Sequence, residues 1–121
     1  MKKKKTLILG ASTNPERYSY KAAHRLTSAG HPIVNIGIKT GEVAGEPIQK
    51  VGEPMSDIDT ITLYVGPRNQ PEFYDYIINT KPSRIIFNPG TENPELIQLA
   101  KDNGIEPVEA CTLVMLSIGE Y

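Results

Sequence analysis

The chain has 121 residues and a formal net charge of −1 at pH 7, and 39% of its residues are hydrophobic. This length is enough for one domain with its own core, and the balanced charge argues against a nucleic-acid or anionic-membrane partner. The single cysteine excludes a disulfide within the chain, and no apolar run reaches the roughly 18 residues of a membrane span. We therefore expect a cytoplasmic protein.

Short apolar runs bounded by turn residues predict the strands. The runs are 6–9, 32–38, 60–65, 83–87 and 106–109. They are rich in Ile, Val and Leu, and the central ones do not alternate apolar with polar residues. This pattern is typical of parallel strands that are covered on both faces.

Helical spacing is found in the segments between these strands. The predicted helices are 20–29, a second opening at 70–72, a third opening at 93–95 and a short one over 112–118. Gly30 is a good helix end, whereas the Gly- and Pro-rich stretch 40–56 shows no clear long helix. The alternation predicts a doubly wound, Rossmann-like, three-layer α/β domain over residues 1–121, whose mostly parallel sheet has about five strands.

Ligands in such folds bind beyond the carboxyl ends of the strands. The residues that directly follow the predicted strands are Gly10-Ala11-Ser12, Lys39, Gly66-Pro67, Asn88-Pro89-Gly90 and Ala110-Cys111. We call this edge of the sheet the rim and expect a small-molecule nucleotide ligand there.

The most informative stretch is 10–20, GASTNPERYSY, which connects the first strand to the first helix. A strand, a turn containing Gly10 and a helix N-terminus place several backbone N–H groups around one point, which attracts phosphate. Only the first glycine of the dinucleotide motif G-x-G-x-x-G is present, and Lys39 replaces the acidic residue that holds the ribose of NAD. Lys39 suits a ribose with an extra phosphate, as in NADP or coenzyme A, unless it is an ordinary loop lysine.

The stretch 10–20 also resembles the signature of a known protein family. Gly10-x-Ser12-x-Asn14-Pro15-x-Arg17-x-Ser19-Tyr20 resembles the signature of the small stand-alone CoA-binding proteins, which are similar to the nucleotide-binding domain of the succinyl-CoA synthetase α subunit. The resemblance covers nearly the whole chain. Its weaker matches are Lys39 with Glu42-Val43 and Gly45, Asp57-Ile58, Tyr64 with Pro67, Gly90 with Asn93, and Cys111. The chain departs from the family pattern at Tyr18, at Gly37-Ile38, where Gly37 would open space, and at Asn88-Pro89.

The resemblance implies a site for the ADP moiety of coenzyme A or a short acyl-CoA. Gly10 and Ser12 would let the backbone approach the diphosphate, and Arg17 would neutralise a phosphate. Without any ligand, Asn14-Pro15 is still a good turn and Ser19 a good N-cap. The residues implied around the diphosphate are Gly10, Ala11, Ser12, Asn14, Pro15, Arg17, Ser19 and Tyr20.

The resemblance also implies where the rest of the ligand lies. Lys39 would face the ribose 3′-phosphate. Tyr64 and Pro67 would line an apolar slot for adenine, although Tyr64 could equally be a core residue. The pantetheine arm would run past Asn88–Gly90 toward Cys111.

No catalytic or metal-ligating pattern is present, because His24 and His31 stand alone and no HExxH, CxxC or carboxylate cluster occurs. Cys111 could form a mixed disulfide with the thiol of CoA or act as a nucleophile, but a small buried apolar role suits it as well. Acyl-CoA synthetases that share this domain rely on further domains. We therefore expect a binding module without its own catalysis, acting as a sensor, a carrier or a partner of another protein.

Two other classes of function stay open. Lys39 is compatible with an NADP(H)-binding, redox-sensing or oxidoreductase-like domain. The other class is a vestigial domain kept for protein interaction, in which the aromatic residues Phe73, Tyr74 and Tyr76 could serve as a surface for a homodimer or a partner protein. Fold alone does not decide between these classes.

Overall fold

The computed structural model describes residues 3–121. The strands are β1 (Thr6–Leu9), β2 (Ile33–Ile36), β3 (Glu42–Val43), β4 (Glu46–Gln49), β5 (Thr60–Leu63), β6 (Arg84–Phe87) and β7 (Glu106–Glu109). The helices are α1 (Tyr18–Ser28), α2 (Tyr74–Thr80), α3 (Pro94–Asp102) and α4 (Thr112–Ser117), and two short 3-10 turns, Pro67–Asn69 and Pro71–Phe73, precede α2. None of the helices in this part of the chain is long and apolar enough to cross a bilayer.

The fold is the predicted α/β class with a mostly parallel sheet. The sheet has seven strands in the order β3-β4-β2-β1-β5-β6-β7. All neighbouring strands run parallel except β3 and β4. The order reverses at β1, which lies between β2 and β5. The crevice at which a ligand binds in such sheets is therefore expected beyond the ends of β1 and β5.

The prediction of about five strands is wrong in number, because the stretch 40–56 contains a hairpin. β3 and β4 are joined by Ala44 and Gly45, both with positive φ, 54° and 85°. A turn whose two residues both have positive φ matches the twist of the flanking strands, although alanine rarely adopts a positive φ. The buried side chain of Asn35 in β2 anchors the hairpin, because its Nδ2 donates to the carbonyls of Val43 and Glu46 at 3.1 Å each.

Helices cover both faces of the sheet, as predicted. One apolar core includes Leu7 and Leu9 of β1 together with Ile77 of α2 and Leu96 of α3. The other core includes Ile8 together with residues of α1 and α4. Successive residues of β1 thus enter different cores, because successive side chains of a strand point to opposite faces. This double burial explains the apolar runs of the central strands.

The aromatic residues at the start of α2 belong to the core. Tyr76 is 6% exposed, and Phe73 and Tyr74 are partly buried against the same cluster. Core packing therefore accounts for Tyr76 and for the buried parts of Phe73 and Tyr74.

A histidine is buried at the edge of the sheet opposite the rim. His31 is 4% exposed, its Nδ1 accepts a hydrogen bond from the backbone N–H of Lys4 at 3.0 Å, and its ring packs against Tyr121 with a centroid distance of 4.8 Å. Burial lowers the pKa of His31, and the neighbouring cations Lys3, Lys4 and Arg84 lower this pKa further, while Asp59 opposes them.

Because of this lowered pKa, we expect stability to fall as the pH drops below about 6.5, the ordinary histidine value. His31 binds its proton at a lower pH in the folded protein than in the unfolded chain. The free energy of unfolding therefore decreases as the pH falls from about 6.5 to the pKa of the folded state. His31→Asn, which keeps an acceptor for Lys4, should flatten the curve of urea midpoint against pH between 7.5 and 5. The exposed His24 provides the control, because His24→Gln should keep the wild-type slope. Equal slopes in H31N and the wild type would contradict the expectation.

Candidate functional site

The turn after β1 packs tightly against the end of β5. Gly10 has φ +100°, and a Cβ there would lie 2.7 Å from the carbonyl oxygen of Tyr64. The backbone N–H of Tyr64 in turn donates to the carbonyl of Leu9 at 2.8 Å. The turn therefore requires a glycine both for its conformation and for this close approach.

The amides of the turn divide into two groups. Those of Gly10 and Ala11 both donate to the carbonyl of Ile36 at 2.9 Å and are held by β2. The next residues form a local turn, in which the backbone N–H of Asn14 donates to Ser12 Oγ at 3.1 Å and that of Glu16 donates to Asn14 Oδ1 at 2.9 Å. Asn14 thus shapes the exposed loop that leads into α1.

Helix α1 begins without a side-chain cap. Its N-cap residue is Arg17, which makes no capping hydrogen bond. Helix α3 differs, because the side chain of Asn93 accepts from the backbone N–H groups of Glu95 and Leu96. The backbone N–H groups in the first turn of α1 therefore have no side-chain acceptor, whereas two of those in the first turn of α3 have one.

The rim after β2 lies directly beside this turn. A Cβ on Gly37 would lie 2.6 Å from the carbonyl oxygen of Ala11, so the backbone of Ala11 occupies the space beside the Gly37 Cα. The expectation that Gly37 opens space is therefore wrong. The next two residues point outward: Ile38 is 82% exposed, and Lys39 is exposed as well. An apolar and a cationic side chain thus stand together on the rim.

Tyr64, at the end of β5, packs mainly into the core on the α1 and α4 side. Its hydroxyl is buried and has no hydrogen-bond partner among residues 3–121. Burial raises the pKa of Tyr64 to about 12, against the opposing effect of the nearby hydroxyls of Thr62 and Thr112. Core packing accounts for the side chain of Tyr64. Of the two residues suggested for the adenine slot, Pro67 is the one that is exposed at the rim.

Asn88 ties three elements together where β6 ends. Its Nδ2 donates to Thr62 Oγ1 at 2.8 Å and to the carbonyl of Leu63 at 2.9 Å. Its Oδ1 accepts from the backbone N–H of Thr112 at 2.9 Å. The side chain is 3% exposed. Asn88 therefore fixes the start of α4 and with it Cys111, the half-buried free thiol that precedes this helix.

A second buried amide, which the sequence did not single out, joins the loops after β5 and β6. Gln70 is 0% exposed, and its Nε2 donates to the carbonyls of Val65 and Thr91 at 2.8 Å each. Asn93 Nδ2 donates to Gln70 Oε1 and to Tyr74 Oη, both at 2.8 Å. The sequence did not predict this network, because a glutamine before a proline is typical of an exposed helix start.

Pro89 and Gly90, the rim residues that follow Asn88, are exposed. Gly90 has φ +92°, and its backbone N–H donates to Glu92 Oε1 at 2.8 Å. Pro89 and Arg17 are exposed, whereas Ser19 is 4% exposed. Because β2, β1, β5, β6 and β7 are parallel neighbours, the topology brings the predicted residues after these strands to one edge. Within residues 3–121 no group of His, Cys, Asp or Glu could hold a metal ion.

Comparison with known proteins points to one family. A family model described as a CoA binding domain matches residues 4–117. A solved structure described as that of an uncharacterized protein shares 52% identity with the chain, with both chains covered completely and a TM-score of 0.97. No curated protein matches the chain significantly.

More distant structures share the fold. A protein from Thermus thermophilus shares 20% identity, with 98% of this chain and 91% of that chain covered and a TM-score of 0.82. A hypothetical protein from Pyrococcus horikoshii OT3 shares 24% identity, with 96% of this chain and 82% of that chain covered and a TM-score of 0.81. At this level of identity the likeness concerns the fold alone.

Proposed function

The chain belongs to the CoA-binding domain family, and from this premise we propose that it binds coenzyme A or a short acyl-CoA at the rim. The protein acts in this proposal as a binding module, a sensor, a carrier or a partner of another protein, and the binding itself involves no catalysis by the chain.

The observation that carries this proposal is the uncapped N-terminus of α1 beside the β1 turn. Helix α1 has 11 residues, no side chain caps its first turn, and its N-cap residue Arg17 is exposed. Free amides, the helix dipole and a nearby guanidinium together favour an anion with several oxygens. We assign this place to the diphosphate of the ligand.

The adenosine end of the ligand is assigned to the neighbouring rim. Lys39 is exposed after β2 and supplies a cation for the ribose 3′-phosphate. Ile38, exposed beside it, and Pro67, exposed after β5, supply apolar surface for the adenine ring. The pantetheine arm then runs along Asn88–Gly90 toward Cys111.

Thermal unfolding with CoA, dephospho-CoA, NADP and NAD tests this proposal. A ligand at about 100 times its Kd adds roughly 2.7 kcal/mol of stability, which raises Tm by several degrees. We expect a rise with CoA that is smaller with dephospho-CoA. A rise with NADP alone would favour the redox alternative, and no rise with any ligand would favour an interaction domain.

Lys39→Glu should weaken CoA binding at least tenfold while changing dephospho-CoA binding much less, because only CoA carries the 3′-phosphate. Calorimetric titration of both ligands measures the two Kd values. The control is Lys101→Glu, which makes the same change in net charge in the last turn of α3. Equal losses for both ligands in K39E would contradict the assignment of Lys39.

A further inference from the structure

An open groove lies between α1 and α4. It is lined by Tyr20, Lys21, His24 and Arg25 of α1 and by Leu113 of α4. Small-molecule sites enclose most of the surface of their ligand, whereas a segment of another protein can dock in a groove that is open to solvent. The openness of this groove therefore favours a protein segment as its occupant.

The charges on the two helices that form the groove are all positive. Lys21 and Arg25 are exposed and lie one turn apart on α1, roughly 6 Å along the helix axis. Arg25 Nη2 donates to Ser117 Oγ of α4 at 3.0 Å, which holds the guanidinium at the groove. Neither α1 nor α4 contains an acidic residue, although the net charge of the whole chain is −1. Charge complementarity therefore requires an acidic partner.

Helix α4 adds exposed apolar surface beside these cations. Val114 is 53% exposed, and Ile118, the C-cap residue, is 64% exposed. Val114 precedes Ser117 by three residues and Ile118 by four, so the apolar surface borders the residue that Arg25 contacts. Within α4 only Thr112 is buried. Exposed apolar residues next to charged ones are typical of protein interaction sites.

We propose that the groove between α1 and α4 binds an acidic amphipathic helix of a partner protein. Carboxylates four residues apart on one flank of that helix bind Lys21 and Arg25. Apolar side chains with the same spacing on its other flank contact Leu113, Val114 and Ile118. A nucleic acid would offer phosphates but no apolar side chains for α4, and a chain with a net charge of −1 gains little from an anionic membrane. This proposal does not depend on the CoA site.

Selection from a phage-displayed library of random peptides tests this proposal. Peptides of about 16 residues allow about four helical turns. We expect the enriched peptides to carry acidic and apolar residues at spacings of three and four. For a synthetic copy of an enriched peptide, measured by fluorescence polarisation, Lys21→Glu/Arg25→Glu should raise the Kd at least tenfold. Replacing the glutamates of the peptide by glutamine should have a similar effect on the wild-type protein.

Matched variants distinguish a loss of charge contacts from a loss of structure. Lys21→Glu alone leaves the contact between Arg25 and Ser117 intact and should give an intermediate Kd. The control is Lys81→Glu/Lys101→Glu, which makes the same change in net charge at the end of α2 and in the last turn of α3. This control should bind the peptide with the wild-type Kd.

The apolar half of the proposal has its own test. Val114→Ser/Ile118→Ser changes two exposed side chains and should weaken binding of the same peptide several-fold. A wild-type Kd in this variant would contradict the apolar contact and overturn the amphipathic helix as the occupant.

Several results would overturn the proposal as a whole. They are enrichment of no peptide, enrichment of basic or uncharged peptides, and enriched peptides that bind K21E/R25E as tightly as the wild type. Binding of a single-stranded oligonucleotide or of phosphatidylserine vesicles through Lys21 and Arg25, in a protein that selects no acidic peptide, would assign the groove to polyanions instead. The measurements with CoA are separate, and their failure would leave this proposal standing.

Discussion

Gly10→Ala is expected to lower the free energy of unfolding by about 3 kcal/mol, the sum of two costs. The first is conformational, because φ at Gly10 is +100°, which disfavours any residue with a Cβ by roughly 1–2 kcal/mol. The second is steric, because the new Cβ would lie 2.7 Å from the carbonyl oxygen and 2.9 Å from the carbonyl carbon of Tyr64. Backbone atoms in the centre of a sheet do not rotate away, so the turn must shift.

Gly90→Ala separates the two costs. Gly90 has a similar φ, +92°, but a Cβ there meets nothing within 4 Å. It should therefore lose only the conformational part, roughly 1–2 kcal/mol. Urea unfolding of both variants gives the comparison, provided that the m-values agree. Equal losses in the two variants would mean that the approach of the β1 turn to Tyr64 contributes no energy.

The class of fold was predictable because the central strands are buried on both faces. Ile8 packs against α1 while Leu7 and Leu9 pack against α2 and α3, and this demands apolar residues at consecutive positions. The hairpin of β3 and β4 was not predictable, since its turn is Ala44-Gly45 instead of a typical pair such as Asn-Gly. Its attachment depends on Asn35, a polar residue inside an apolar run, which local pattern does not explain.

The candidate site was predictable in its position and much less in its details. Residues that follow parallel strands must meet at one edge, so Gly10 and Lys39 could be placed from topology alone. Which buried amide meets which carbonyl depends on contacts between distant segments. For this reason the sequence predicts neither the three internal hydrogen bonds of Asn88 nor the burial of Gln70.

These two amides divide the rim into a fixed part and an open part. Asn88 fixes the start of α4, and Gln70 fixes the loops after β5 and β6 to one another. The loop between β1 and α1 is tied mainly by its own turn, and its residues 13–18 are exposed. The rim therefore has one rigid wall, held by buried side-chain hydrogen bonds, and one wall formed by exposed residues.

Gln70→Glu should be the most destabilising polar substitution at the rim. At neutral pH it would place a carboxylate against the carbonyl oxygens of Val65 and Thr91, which have lost their donor, in a position that is 0% exposed. Two unpaired buried carbonyls cost about 1–3 kcal/mol each, and the buried charge adds to this. We expect a loss of about 4 kcal/mol or more at pH 7.5.

The sign of the pH dependence identifies the charge as the cause. Burial and the facing carbonyls raise the pKa of the new carboxyl, so the folded variant binds more protons than the unfolded chain above about pH 4.3. Its stability relative to the wild type should therefore rise as the pH falls from 7.5 to 5, since a protonated carboxyl again donates to one carbonyl. Gln70→Leu, which lacks the charge, should show a deficit that does not change with pH. If the deficit of Q70E were also constant, the carboxylate would have reached water and the loops would have separated, which would contradict a rigid wall held by Gln70.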